Sequence, residues 1–244
     1  MTRAIRLSPK EKARIQRLLT TLEAHHPNAT TELNFGSPFQ LLIAVILSAQ
    51  CTDKRVNMVT EDLFARYPDA EAMARLSEPE MLEEIKSINF APTKARNLVR
   101  TCRMLMELHG GEVPSNREQL EALPGVGRKT ANVVLATAFD VPALAVDTHV
   151  FRVSKRLGMV KAETVEETER QLEKLIPREK WSLAHHWLIL HGRYTCMARK
   201  PACERCPVSA DCPTYAELIT PKAGPKARPA AKKKTAAKKA ATRA

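Results

Sequence analysis

Apolar residues recur along this chain at helical spacing, and no segment alternates convincingly over the length of a strand. From Pro9 to His25, Ile15, Leu18, Leu19 and Leu22 fall on one face. Ser8 stands as N-cap with Pro9 in the first turn, which predicts an amphipathic helix. Ser37-Pro38 opens a second helix whose Phe39, Leu41, Leu42, Val45, Ile46 and Leu47 leave little polar face, so this helix is predicted to be central. Further helices are predicted at about Lys54 to Arg66, Glu80 to Ser87, Lys94 to Leu108, Arg117 to Ala122, Arg128 to Phe139, Thr148 to Leu157, Val165 to Ile176 and Glu179 to His191. Thr164 with Glu167 predicts a capping box, Pro177 a stop for that helix, and Gly192 the end of the last one. The pattern predicts an all-α fold.

The stretch Glu121 to Val150 is where this pattern acquires chemistry. Leu120 is the inward contact of a short polar helix, which Leu123-Pro124 stops, because proline offers no N–H and disfavours helical geometry in the residue before it. Gly125 and Gly127 bracket Val126, allowing positive φ and a close approach of backbone to another molecule, while Val126 can enter a core. Arg128 then opens a second helix. The first N–H groups of that helix are unpaired at its positive end and suit a phosphate oxygen, with Arg128 and Lys129 adding full charges. A bare G-x-G turn is also common at an ordinary helix corner. Further on, Val146-Asp147-Thr148-His149-Val150 places Asp147 as the N-cap of the next helix, where backbone N–H bonds favour its ionised form.

Cysteine usage adds a second site. Cys196, Cys203, Cys206 and Cys212 fall within seventeen residues at C-x6-C-x2-C-x5-C spacing, whereas Cys51 and Cys102 stand isolated in helical segments. This argues for a metal site rather than disulfides, and zinc or an iron–sulfur cluster both fit four thiolates. Met197 to Pro201 presents Arg199 and Lys200 on a loop between two of these thiols, suited to a phosphate contact or to solubility alone. His185, His186 and His191 precede the cluster and are expected to hydrogen-bond rather than ligate.

Composition narrows the class. An apolar share of 44% indicates a globular chain, and no apolar run reaches the ~20 residues that span a bilayer, which predicts no membrane partner. Met1 to Lys10 carries no secretory pattern, so the cytoplasm is the expected compartment. The net charge is +12, but Lys222 to Ala244 holds nine Lys or Arg and no acid, leaving +3 for the rest. That tail reads as disordered and suited to polyanions.

The order L-P-G-V-G-R-K-T-A resembles the helix-hairpin-helix motif of base-excision DNA glycosylases, with Lys129 where bifunctional members keep their nucleophile and V-D-T-H-V like their catalytic aspartate segment. The cysteine spacing resembles the [4Fe-4S] loop of endonuclease III and its adenine-glycosylase relatives. Leu47-Ser48-Ala49-Gln50-Cys51-Thr52-Asp53 resembles the segment bordering the lesion pocket, where the glutamine fills the gap left by an extruded base. The resemblance to the endonuclease III family covers roughly Leu33 to Cys212. It implies two lobes, residues 31–141 as a six-helix lobe and 1–30 with 142–220 as the cluster lobe, with 221–244 as the tail. It implies a bifunctional DNA glycosylase and abasic-site lyase, a monomer acting on damaged double-stranded DNA, nucleoid-associated if bacterial. Lys129 and Asp147 would be catalytic. Gln50, Phe90, Gly125, Gly127, Arg128, Arg199 and Lys200 would contact DNA, and Ser48, Asp53, Glu121 and His149 would lie near the pocket. The four cysteines would hold the cluster. The adenine-excising relative generally lacks a lysine at this position, and the Lys129 and Asp147 pair argues against a non-catalytic DNA-binding module. Asn89, Phe90, Ala91 and Pro92 depart from the family's usual glycine, bulky apolar residue and tyrosine, which predicts an altered lesion range or turnover.

Overall fold

The computed structural model describes residues 7–215 and 217, so the expected basic tail lies outside the described residues. Among them no strand occurs. Before Tyr215, the α-helices of the described residues run in order as α1 (Pro9–His25), α2 (Pro38–Ser48), α3 (Asp53–Arg66), α4 (Ala70–Ala74), α5 (Glu78–Ile85), α6 (Ala91–His109), α7 (Arg117–Glu121), α8 (Arg128–Ala138), α9 (Thr148–Arg156), α10 (Val165–Leu175) and α11 (Trp181–Tyr194).

The caps explain why most boundaries fall where they do. Ser8, Ser37, Thr52, Asp69, Ser77 and Asn116 each accept a bond from a first-turn N–H, satisfying a donor the helix cannot pair internally. Helix α4 is too short for periodicity to announce. It forms because Asp69 caps Ala72 at 2.8 Å and because Ala70 and Met73 are buried. The capping box expected of Thr164 and Glu167 is only half made: Thr164 accepts from the Glu167 N–H, but the Glu167 carboxylate takes Gln171 instead. Gly192 does not end the last helix, which runs on to Tyr194. Here glycine serves packing: a Cβ at Gly192 would lie 2.9 Å from the His149 Cβ, so its absence lets α11 approach α9. Pro92 sits in the first turn of α6, where no intrahelical N–H is lost.

Helix α2 is apolar all round and is buried between α8, α3 and α6. Truncating one of its fully buried leucines would cost about 2–5 kcal/mol. Two apolar cores result. One gathers side chains from α2 through α8, and the other from α1, α9, α10 and α11 around the fully buried Trp187. The extended segment between α8 and α9 serves both: Ala143 and Ala145 enter the first core, Leu144 and Val146 the second. We propose on this basis the two lobes 31–141 and 1–30 with 142–220. The chain emerges from the alternating segment at Asp147, between the cores.

Among the described residues, three non-glycine residues have left-handed backbone, Gln50 at φ 55°, Phe90 at φ 60° and Asp140 at φ 52°. Each carries a strain of roughly 1–2 kcal/mol.

Candidate active site and cysteine loop

The hairpin between α7 and α8 is built as a backbone device. Val126 is buried, its N–H donates to Leu123 O at 3.1 Å, and the Pro124 carbonyl accepts from Thr101 Oγ1 at 2.8 Å. Gly125 has φ 81° and faces Asn97 so closely that a Cβ would lie 2.9 Å from its amide nitrogen. Gly127 does not take positive φ. It is the extended N-cap of α8, and with no side chain to cap, the first N–H groups of α8 face outward. That end therefore retains the partial positive charge that attracts an anion.

Arg128 turns out to have a protein partner. Its guanidinium makes a two-pronged bond to the Glu169 carboxylate at 2.9 and 3.0 Å, and Asn132 donates to the same carboxylate at 3.1 Å. The pair ties the hairpin helix to α10.

One position further, Lys129 opens onto a cleft lined from both cores by Ser48 and Asp53 on one side and His185, His186 and Arg193 on the other. Lys129 keeps solvent access, yet protein surrounds it deeply. That burial pushes its ammonium pKa below the ordinary value; Asp147 and Asp53 oppose the shift, and Arg193 adds to it. Arg193, not Arg128, is thus the cation that acts against the lysine's charge. Asp147 accepts the His149 and Val150 N–H groups, both at 2.8 Å, and is fixed as the N-cap of α9.

Of the other residues predicted near the pocket, Ser48 and Asp53 line the cleft. Ser48 Oγ donates to the Val45 carbonyl at 2.9 Å. Glu121 is exposed and lies near Arg128, and His149 is half-buried, its Nδ1 accepting from Arg152 at 3.2 Å. Phe90 is 61% exposed and Gln50 is exposed too. The pattern of residues missed Arg193 and Glu32, whereas it expected His185 to hydrogen-bond, as it does. Arg193 bonds Asp53 at 2.7 Å and also Glu32, partners far away in sequence that no local motif announces. His185 is buried, and its Nδ1–H donates to the Ala145 carbonyl at 2.7 Å. Burial, His186 and Lys129 push its pKa down to about 3, which keeps the imidazole neutral with Nε2 as an acceptor.

The four cysteines of the C-terminal loop form no disulfide. Burial pushes the Cys203 and Cys206 thiols up, and the neighbouring cysteines add to the shift: Cys196 and Cys212 act on Cys203, and all three others act on Cys206. The four thiols thus lie near enough to act on one another's charge. Among the described residues no three metal-binding side chains converge on a single-ion position. An iron–sulfur cluster held by four thiolates is a group that this donor set fits. Arg156, at the end of α9, grips the loop by donating to the Met197 and Ala198 carbonyls at 2.8 and 2.9 Å. Arg199 and Lys200 are exposed on it. His191 Nε2 lies 3.7 Å from Cys206 Sγ, beside the set rather than within it.

Comparison with known proteins places this geometry. Residues 43–178 match the model of the HhH-GPD superfamily of base excision DNA repair proteins, and residues 196–212 match the iron–sulfur binding domain of endonuclease III. Endonuclease III of Escherichia coli K12 is 52% identical over 208 residues, 85% of this chain and 98% of that protein. Endonuclease III of Bacillus subtilis is 50% identical over 187 residues, 76% of this chain and 85% of that one. Among solved structures, a trapped endonuclease III–DNA covalent intermediate superposes with TM-score 0.83 at 46% identity, covering 88% of this chain and all of that one. A thermostable thymine-DNA glycosylase superposes with TM-score 0.76 at 25% identity, covering 84% and 98%.

Proposed function

The chain belongs to the endonuclease III family of the HhH-GPD superfamily, and from that premise we propose that Lys129 is its nucleophile and Asp147 the carboxylate that assists it. The protein is a DNA glycosylase and abasic-site lyase of base excision repair, with a [4Fe-4S] cluster. Cys196, Cys203, Cys206 and Cys212 would hold that cluster, which fits the all-thiolate donor set. The preferred lesions are oxidised pyrimidines in duplex DNA. The enzyme works as a monomer in the cytoplasm, where chromosomal DNA is reached directly; among the described residues no helix is long and apolar enough to cross a membrane.

A base inside the duplex is out of reach, so the damaged nucleotide rotates out, at an expense of a few kcal/mol that is smaller for damaged pairs. Gln50 and Phe90 enter the vacated duplex, both exposed and both on strained loops. Gly125, Gly127 and the free N–H groups of α8 take a backbone phosphate, and Arg199 and Lys200 a second one. Arg128, already paired with Glu169, holds the hairpin in place and presents its remaining charge at the same edge.

Neutral Lys129 attacks the anomeric carbon; the bond to the base breaks and its electron pair leaves with the base, which takes up a proton. The nitrogen lone pair then expels the ring oxygen, breaking the C1′–O4′ bond; the amine proton passes to that oxygen, and an imine joins Lys129 to the opened sugar. The imine acidifies the neighbouring C2′–H. Removal of that proton expels the 3′ phosphate, and water then hydrolyses the imine to free the lysine. Ionised Asp147 stabilises the positive charge that develops on the sugar.

The observation that carries this reading is Lys129 in a two-walled cleft that depresses its ammonium pKa, within charge reach of Asp147. Borohydride trapping on a preformed abasic site tests it. Lys129→Gln should abolish the covalent complex while still binding the same DNA, and Asp147→Asn should slow base removal yet permit trapping. Undiminished trapping by Lys129→Gln would assign the lyase step to another amine.

A further inference from the structure

The loop that presents Gln50 is held at its backbone by groups from another part of the chain. Four consecutive carbonyls at the end of α2 each accept a hydrogen bond. The buried Lys94 amine donates to Leu47 O at 2.9 Å and to Ala49 O at 2.6 Å, the Cys51 N–H donates to Ser48 O at 3.0 Å, and Asn89 Nδ2 donates to Gln50 O at 2.6 Å. Gln50 itself has left-handed backbone, a conformation that relaxes unless its surroundings fix it. Its side-chain amide, by contrast, has no partner among the described residues. The main chain is therefore pinned while the amide is left to meet DNA.

Asn89 makes the outermost of these bonds and directly precedes Phe90, the second strained and exposed residue. One side chain thus joins the two loops that face the vacated duplex. We propose that Asn89 is a positioning residue that fixes the Gln50 main chain, and so sets how strictly the enzyme discriminates among bases opposite the lesion. This rests on the reading of Gln50 as the residue that fills the gap. An amide held in one place matches its donor and acceptor to some bases and mismatches others, whereas an amide on a loosened loop adjusts to each.

The test is single-turnover cleavage of duplexes that carry one oxidised pyrimidine opposite each of the four bases, with the full chain and its cluster. Asn89→Asp keeps the shape and removes the donor. It should compress the ratio between the most and least favoured opposite base by about fivefold, and Asn89→Gln should recover part of that ratio. Gln50→Ala should compress the ratio as well, and the double variant Gln50→Ala with Asn89→Asp should match Gln50→Ala alone, because a residue acting through Gln50 has no effect once its amide is gone. An unchanged ratio in Asn89→Asp beside a compressed one in Gln50→Ala would overturn the proposal for Asn89. Additive losses in the double variant would also overturn it, since they mark a general structural role. An unchanged ratio in Gln50→Ala would remove its foundation. Absence of cleavage by the unaltered protein on every duplex would instead overturn the reading of the function.

Discussion

The Arg193 guanidinium lies 2.7 Å from the Asp53 carboxylate and joins α11 to the first residue of α3 across the cleft that Lys129 enters. A cation from one core and an anion from the other thus act on the same amine, Asp53 favouring its charged form and Arg193 opposing it. The lysine's reactivity depends on how the two halves meet.

Replacing Arg193 by glutamine removes a charge that lowers the Lys129 pKa and frees Asp53 to raise it, so both changes act in one direction. The pH profile of borohydride trapping should inflect at higher pH than in the unaltered protein. Because one pKa unit is a tenfold change in neutral amine, trapping near neutral pH should fall roughly threefold to tenfold. Asp53→Asn should shift the inflection the other way. An inflection that stays put in both variants would place Lys129 outside the influence of this pair.

Substrate choice should follow Lys129. A lysine nucleophile suits bifunctional removal of oxidised pyrimidines, and a panel of duplexes with one defined lesion each should show thymine glycol cleaved and adenine opposite oxidised guanine left intact. Comparable excision of that adenine would reverse the assignment.

Gly192→Ala should destabilise the protein although alanine favours helix by about 1 kcal/mol. The added Cβ meets the His149 Cβ at 2.9 Å and Val153 Cγ2 at 3.1 Å, neither of them the end of a long flexible chain. Overpacking of about 1–3 kcal/mol should prevail, lowering Tm by about 2–8 °C in thermal unfolding. It should also slow base removal, because His149 lies two residues beyond Asp147 on the same helix start. An unchanged or raised Tm would show that α9 and α11 separate without penalty.

Cys203→Ala should yield protein that lacks the brown colour and the roughly four irons of the intact cluster, and that is largely insoluble. Arg156 holds the cysteine loop at the end of α9, and Asp147 caps the start of the same helix. Any soluble fraction should therefore lose base removal along with iron. Iron and absorbance measurements on the purified variant check the first point and cleavage assays the second.

Much of this molecule was legible in the order of its residues. Apolar spacing and capping residues are local, so α1 to α3 and α5 to α11 could be placed within a few residues, and the all-α class with them. The hairpin and the C-x6-C-x2-C-x5-C spacing were legible for the same reason, since a turn or a ligand loop is made by neighbours in sequence. The choice of an iron–sulfur cluster over zinc rests on that spacing and on the match of residues 196–212 to the iron–sulfur binding domain of endonuclease III.

What the sequence by itself determined, then, were most of the helices, the glycine turn before α8, and Lys129, Asp147 and the four cysteines as the candidates for chemistry. Tertiary structure alone decided their surroundings. Arg128 carries a charge suited to phosphate, but only the fold brings Glu169, 41 residues away, against it. Gly192 looked like a helix stop because glycine often is one; the close approach of α9 turned it into a packing residue inside α11. Residues 143–146 show nothing distinctive as a string, yet their side chains enter two different cores by turns and deliver Asp147 between them. Burial and long-range charge are properties of what lies nearby in space. The hold of Asn89 on Gln50 therefore exists only once the first core has folded, and the depressed pKa of Lys129 only once the two halves have come together.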